Sequence, residues 1–169
     1  NDATMNLTTG KGANFNKTTV LSGDSHLNVI KGDLNFDKLT FIGTDAVIHD
    51  MNGQINSNTI GDLDLYNGKA DFTVDLNGRD WQHDKFVISD ITDLDGGNIH
   101  ISDWQFADDW NRTNKAPIDR HIIMNMFDVS KVDPAIAANI NFTQTDKEIF
   151  TPIGWYKLEN YTKYNNITG

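Results

Sequence analysis

The sequence predicts an all-β protein of short strands, stacked or sandwiched, and three observations predict it. Between Gly32 and Ile101 one device recurs: a short β-rich run, a Gly/Asn/Asp turn, then another run. Within it Gly32-Asp33-Leu34-Asn35-Phe36 returns almost unchanged as Gly61-Asp62-Leu63-Asp64-Leu65. The third observation is the acid content, twenty-two Asp against two Glu (Glu148 and Glu159). Glu favours helix interiors, whereas Asp and Asn bond to nearby backbone and tolerate left-handed turns, so this bias is a vote against helices. Regular short strands with no helices between them read as stacked or sandwiched sheets.

Taken in order, residues 1–27 are rich in Asn, Thr and Gly, and Thr19-Val20-Leu21 is their one strand-like run. They predict an outer coil or a frayed edge. Residues 28–102 carry Leu39-Thr40-Phe41, Ala46-Val47-Ile48, Phe72-Thr73-Val74, Phe86-Val87-Ile88 and Ile99-His100-Ile101, most alternating apolar with polar residues. The spacing of these runs is uneven, which suits a β-helix whose coils are joined by loops of varying length. Residues 103–120 are polar, aromatic and aperiodic and predict a loop or insertion; His121 to Phe127 reads as a buried strand. Asp133-Pro134-Ala135-Ile136-Ala137-Ala138-Asn139 is the one good helix signal, with Asp as N-cap and Pro at the first position. Ile140-Asn141-Phe142, Glu148-Ile149-Phe150 and Trp155-Tyr156-Lys157-Leu158 supply the last strands.

Composition narrows the function. The net charge of −10, with Lys and Arg scattered singly, lacks the basic stripe that a nucleic-acid partner needs. The absence of cysteine excludes disulfide scaffolds, thiolate metal sites and thiol catalysis. No apolar run approaches the roughly 18 residues that span a bilayer, so direct membrane insertion is not expected. The first residue, Asn1, and the abrupt last stretch read as those of an excised fragment or processed precursor.

From Asp71 to Leu158 five segments follow in order: Phe72-Thr73-Val74-Asp75-Leu76, Asp84-Lys85-Phe86-Val87-Ile88, Gly96-Gly97-Asn98-Ile99-His100-Ile101, Arg120-His121-Ile122-Ile123-Met124 and Trp155-Tyr156-Lys157-Leu158. Their order resembles the C-terminal part of bacterial autotransporter passenger domains, the autochaperone or pertactin-like region. The resemblance implies a right-handed parallel β-helix closed by a β-sandwich-like C-terminal cap, exported and displayed on the bacterial cell surface. It also implies that the cap forms first and templates the coils above it. On this reading residues 1–75 are coils of a longer array and 76–169 a capping module, with Trp155, Tyr156 and Leu158 in the cap. The partners expected are adjacent β-helix coils, a C-terminal translocator barrel, and a glycan or protein on a host or neighbouring cell.

Two segments invite chemistry. Asp108 and Asp109, with Trp104, Trp110 and Arg112, could form a sugar site, because a glycoside hydrolase needs two carboxylates about 5–10 Å apart and an aromatic platform suits the ring. With Asp this dense, neighbouring acids also arise by chance, and a solvated loop is the plainer reading. Asp90, Asp93 and Asp95 ahead of Gly96-Gly97 offer hard oxygen ligands for calcium, but without the bidentate Glu of an EF-hand; a plain turn explains them as well. No cofactor is otherwise expected. The five histidines, at 26, 49, 83, 100 and 121, show no ligand spacing and read as surface or ladder positions. The expectation is therefore a non-enzymatic stalk and cap of an adhesin. The rival is a carbohydrate-active β-helix enzyme or carbohydrate-binding module using the Trp104/Trp110 loop.

Overall fold

The computed structural model of the chain describes residues 3–66, 68–78, 80–107, 124–151 and 154–158. Its strands are β1 (Ala3–Thr8), β2 (Ala13–Ser22), β3 (Ser25–Lys31), β4 (Leu34–Ile42), β5 (Val47–His49), β6 (Ser57–Asp64), β7 (Lys69–Leu76), β8 (Lys85–Asp93), β9 (Asn98–Phe106), β10 (Phe127–Asp128), β11 (Asn141–Gln144), β12 (Glu148–Thr151) and β13 (Gly154–Lys157), with one helix, α1 (Pro134–Ala137). The odd strands form one sheet in the order β1-β3-β5-β7-β9-β11, and the even strands a second, β2-β4-β6-β8-β10. Every pairing within these two sheets is parallel. Parallel neighbours need a crossover, and here the crossover is a strand of the opposite sheet instead of a helix. The result is an all-β, β-helix-like winding, as the sequence predicts. The pairing passes the end of β7 without interruption, through β8 and β9 to β10 and β11.

The interior lies between the sheets. Met5, Leu27, Ile48 and Phe72 follow one another on successive rungs of the first sheet, as do Phe15, Phe36, Ile60 and Ile88 in the second. Phe41, Phe72, Phe86, Phe127 and Phe142 link the two sheets through ring contacts with centroids 4.6–5.9 Å apart. Each fully buried side chain of this kind contributes about 1.5–3 kcal/mol. The outer faces carry polar ladders: Asn28 donates to Asn6 (2.8 Å), Asn35 to Asn14 (3.1 Å), Thr59 to Asn35 (2.8 Å) and Lys38 to Asp62 (2.9 Å).

The repeat that is visible in the text is not the repeat of the structure. Gly32–Phe36 enters β4, while Gly61–Leu65 is the far half of β6 and its end; Phe36 pairs with Ile60, and Leu63 pairs with Leu39. The structural repeat is marked by turn glycines. Lys69 N–H donates to Gly43 O (2.8 Å) and Asn98 N–H to Gly68 O (3.2 Å), so successive turns stack. A Cβ on Gly68 would lie 2.7 Å from Gly43 O, and one on Gly97 would lie 2.6 Å from Gly68 O. Their spacing drifts because the coils lengthen: His26 pairs with Val47 21 residues on, Asp71 with His100 29 on, and His100 with Thr143 43 on.

Two ends of the stack differ. β1 is exposed along most of its length, and Met5 is 52% exposed where the next residue in its column, Leu27, is 2% exposed. At the far end Val132, Ala137, Ile140 and Phe142 are buried. The short helix forms as predicted: Asp133 Oδ1 accepts from Ala135 N–H (2.8 Å), with Pro134 at the first position. The antiparallel β12–β13 hairpin follows, its Ile149 and Tyr156 packed on the core together with the adjacent Leu158.

Candidate functional site

The loop expected over residues 103–120 does not include its first four residues. Asp103 to Phe106 continue β9, with Thr73 opposite Asp103 and Val74 opposite Trp104. A bulge at Ser102 shifts the phase of the strand by one residue, and this aims Trp104 into the core at 2% exposure, edge-on to Phe106 at 5.6 Å. Trp104 is a packing residue and not a ligand platform. Its indole Nε1 is buried without a hydrogen-bond partner. Asp108, Asp109, Trp110 and Arg112 lie outside the described residues, as does the run from His121 to Ile123. Trp155 is placed in β13 opposite Phe150, and Tyr156 meets Phe106 edge-on at 5.4 Å and Trp81 at 6.4 Å.

Strand geometry bears on the calcium expectation. Asp90 and Asp93 lie in β8 with a bulge at Thr92 between them, Asp90 opposite Asp62 and Asp93 opposite Asp64 on the neighbouring strand. Asp95 sits in the following turn at φ 34, before Gly96 at φ 74. Among the described residues no three His, Asp or Glu are arranged to hold a metal ion.

The chemistry that the fold does assemble comes from acids far apart in sequence. Asp50 follows β5, Asp75 is the penultimate residue of β7 and Asp84 precedes β8, and all three are fully buried at one corner of the winding. Asp50 accepts from the side-chain amides of Asn56 and Asn58, both at 2.7 Å. Asp75 accepts from the N–H groups of Asn52 (2.7 Å) and Gly53 (2.6 Å) and from Gln105 Nε2 (2.8 Å). Asp84 accepts from Asn56 N–H (2.7 Å) and Asp75 N–H (2.6 Å). Asn58 in turn accepts from Leu34 N–H (2.8 Å), which ties a third coil into the corner. Burial first, and then the charge of Asp50, pushes the Asp84 carboxyl up to about 9; burial likewise raises Asp50 to about 7 and raises Asp75. Hydrogen bonds to the charged forms oppose these shifts without cancelling them. All six oxygens are engaged, so the corner is a cross-link between coils and presents no free carboxylate to a substrate.

A second polar feature lies on the outer face of the odd-strand sheet. Asn28, Ile30, His49, Met51, Asn52 and Thr73 line a shallow open groove of about 420 Å³. His49 is held there by His26 on the preceding rung: His26 Nδ1 and His49 Nε2 are 2.9 Å apart, and His26 Nε2 lies 3.1 Å from Asp24 Oδ1. The rings are nearly parallel, at 22°. Two rungs on, the ring nitrogens of His100 meet Thr143 Oγ1 (2.6 Å) and Thr145 Oγ1 (3.1 Å). Histidines 26, 49 and 100 are thus ladder residues. No local spacing in the sequence announces either the acid corner or the His26–His49 contact, because both are set by coil length. When the chain is compared with known proteins, no family model, no curated protein and no solved structure matches it.

Proposed function

We propose that the chain is a non-enzymatic segment of a surface-displayed bacterial adhesin of the autotransporter passenger type, acting as rigid stalk and folding cap. The observation that carries this reading is the unequal treatment of the two ends of one continuous parallel stack. β1 and β2 each leave one strand edge unpaired beside exposed Met5 and Val20, a surface that fits another coil. After the last strands of the stack, α1 and the β12–β13 hairpin add apolar residues to the core, among them Ala137, Ile149 and Tyr156. On this reading the winding is right-handed, the C-terminal elements form a β-sandwich-like closure, and the polar outer ladders face the glycan or protein being bound. The acid corner and the stacked turns supply stiffness; neither supplies a reacting group.

The test is deletion of residues 133–169. The shortened protein is expected to aggregate in size-exclusion chromatography, because removal of α1, β11 and the hairpin uncovers β10, the edge of β9 and the core beneath them. A shortened protein that stays monomeric with an unchanged β signal in circular dichroism removes the capping role. The carbohydrate-site alternative loses its Trp104 platform to the core and is not favoured.

A further inference from the structure

The odd-strand sheet has one weak junction. β5 is three residues long and pairs with β3 and with β7 at three positions each, whereas β7 and β9 pair at eight. The Asp24–His26–His49 chain spans this junction. Asp24 accepts from His26 Nε2–H, which leaves Nδ1 of neutral His26 as an acceptor for His49 Nε2–H. If His26 instead carries the extra proton, its Nδ1–H donates to a neutral His49. Either way one proton lies between the two rings. When both imidazoles are charged, both facing nitrogens carry hydrogen and the bond cannot exist.

The next rung holds an acceptor without a partner. Asp71 is buried on β7; its Oδ2 pairs with Lys69 Nζ at 2.9 Å, but its Oδ1 is buried with no hydrogen bond. Its charge acts directly on His49. The groups around the histidine pair are otherwise few. β1 offers no charged residue, Asp24 precedes β3 and Lys31 ends it, β5 is followed by buried Asp50, β7 contributes Lys69, Asp71 and Asp75, and on β9 His100 stands opposite Asp71 and feels its charge.

From this geometry we infer that the His26–His49 contact is an acid-operated joint: double protonation breaks it, His49 turns to the free oxygen of Asp71, and the first coil loosens from the rest. The two arrangements differ in one partner of one side chain, so the joint is a two-state element with a defined trigger. Burial foremost, then the neighbouring His26, lowers the proton affinity of His49. Its contribution is therefore present above the ordinary histidine pKa of about 6.5 and is lost as pH falls through the lowered value. The acid corner responds oppositely, because its carboxyls take up protons while folded. Acid thus separates the β1–β3 side from a body that the same acid holds together.

The test is residue-resolved hydrogen exchange on the full chain at pH 7.5 and 5.0, corrected for intrinsic rates. Protection of β3 and β5 is expected to fall at least tenfold at the lower pH, with β7 to β9 keeping or gaining protection. His49→Gln should make that protection independent of pH, and Asp71→Asn should move the transition to lower pH. Imidazole ¹⁵N shifts of the unaltered protein give a reading that needs no variant: the His49 ring should take up its second proton over the same pH range in which β3 and β5 lose protection. Protection of β3 and β5 that does not change with pH, an equal change in His49→Gln, or a His49 protonation that leaves that protection untouched overturns the inference.

Discussion

Two acid-rich places in this chain have opposite fates. The run from Asp90 to Asp95 is dense in the text, yet its carboxylates are spread along a strand and a turn. Asp50, Asp75 and Asp84 are scattered in the text, yet the winding brings them into one buried, fully bonded corner. In a stacked-strand protein, proximity is set by rung and not by sequence, so clustering in the text says little about clustering in space.

The contrast is broken most sharply by Asp84→Ala. It strands two buried N–H groups, those of Asn56 and Asp75, and is expected to destabilise by about 2–5 kcal/mol in urea unfolding. Asp95→Ala, at the exposed turn, should fall within about 0.5 kcal/mol. Equal effects would dissolve the distinction. The second way is pH. The corner carboxyls are raised above the ordinary carboxylate value, so the stability they contribute is complete below about pH 4 and is lost as pH rises through about 7 and then about 9. A midpoint of thermal unfolding that falls between pH 5.5 and 9.5, with a shallower fall in Asp84→Asn, is expected. Asp128 runs the other way: Lys85 holds it down at about 2, and its contribution is lost as pH falls from about 4 through 2.

Third, Asn58→Ala deprives both Leu34 N–H and Asp50 Oδ2 of a partner and should cost about 1–3 kcal/mol by the same unfolding assay. Gly96→Ala tests the turn alone: at φ 74 a Cβ is strained by about 1–2 kcal/mol, without disturbing the corner. The smallest effect is that of calcium. Millimolar Ca²⁺ should leave the unfolding temperature unchanged, and a rise lost in Asp93→Asn would restore a site to the Asp90–Asp95 segment.

The strands were legible because alternation is local. Phe72-Thr73-Val74 and Phe86-Val87-Ile88 declare themselves within a few residues, and Asp133-Pro134 announces its helix through cap chemistry. What was not legible depends on register. The Gly32 and Gly61 motifs match as text and occupy different rung positions, while Gly43, Gly68 and Gly97 match in space and share nothing but the residue type. Trp104 reads as a loop residue because aromatic and acidic residues crowd around it, and the bulge at Ser102 reverses the alternation of β9, so that counting from Ile99 does not place it in the core. His26 and His49 meet only because one coil is 21 residues long between His26 and Val47.

That coil length roughly doubles toward the C-terminus while the ladders keep their register has a consequence for variation. Closing a loop of twice the length costs only about 0.6 kcal/mol in chain entropy. A frame built this way can accept new sequence between β9 and β11 at little thermodynamic loss, provided that the rung residues on either side are kept. The segments that lengthen are therefore where such a protein can change what it presents to its surroundings while the stack beneath them stays the same.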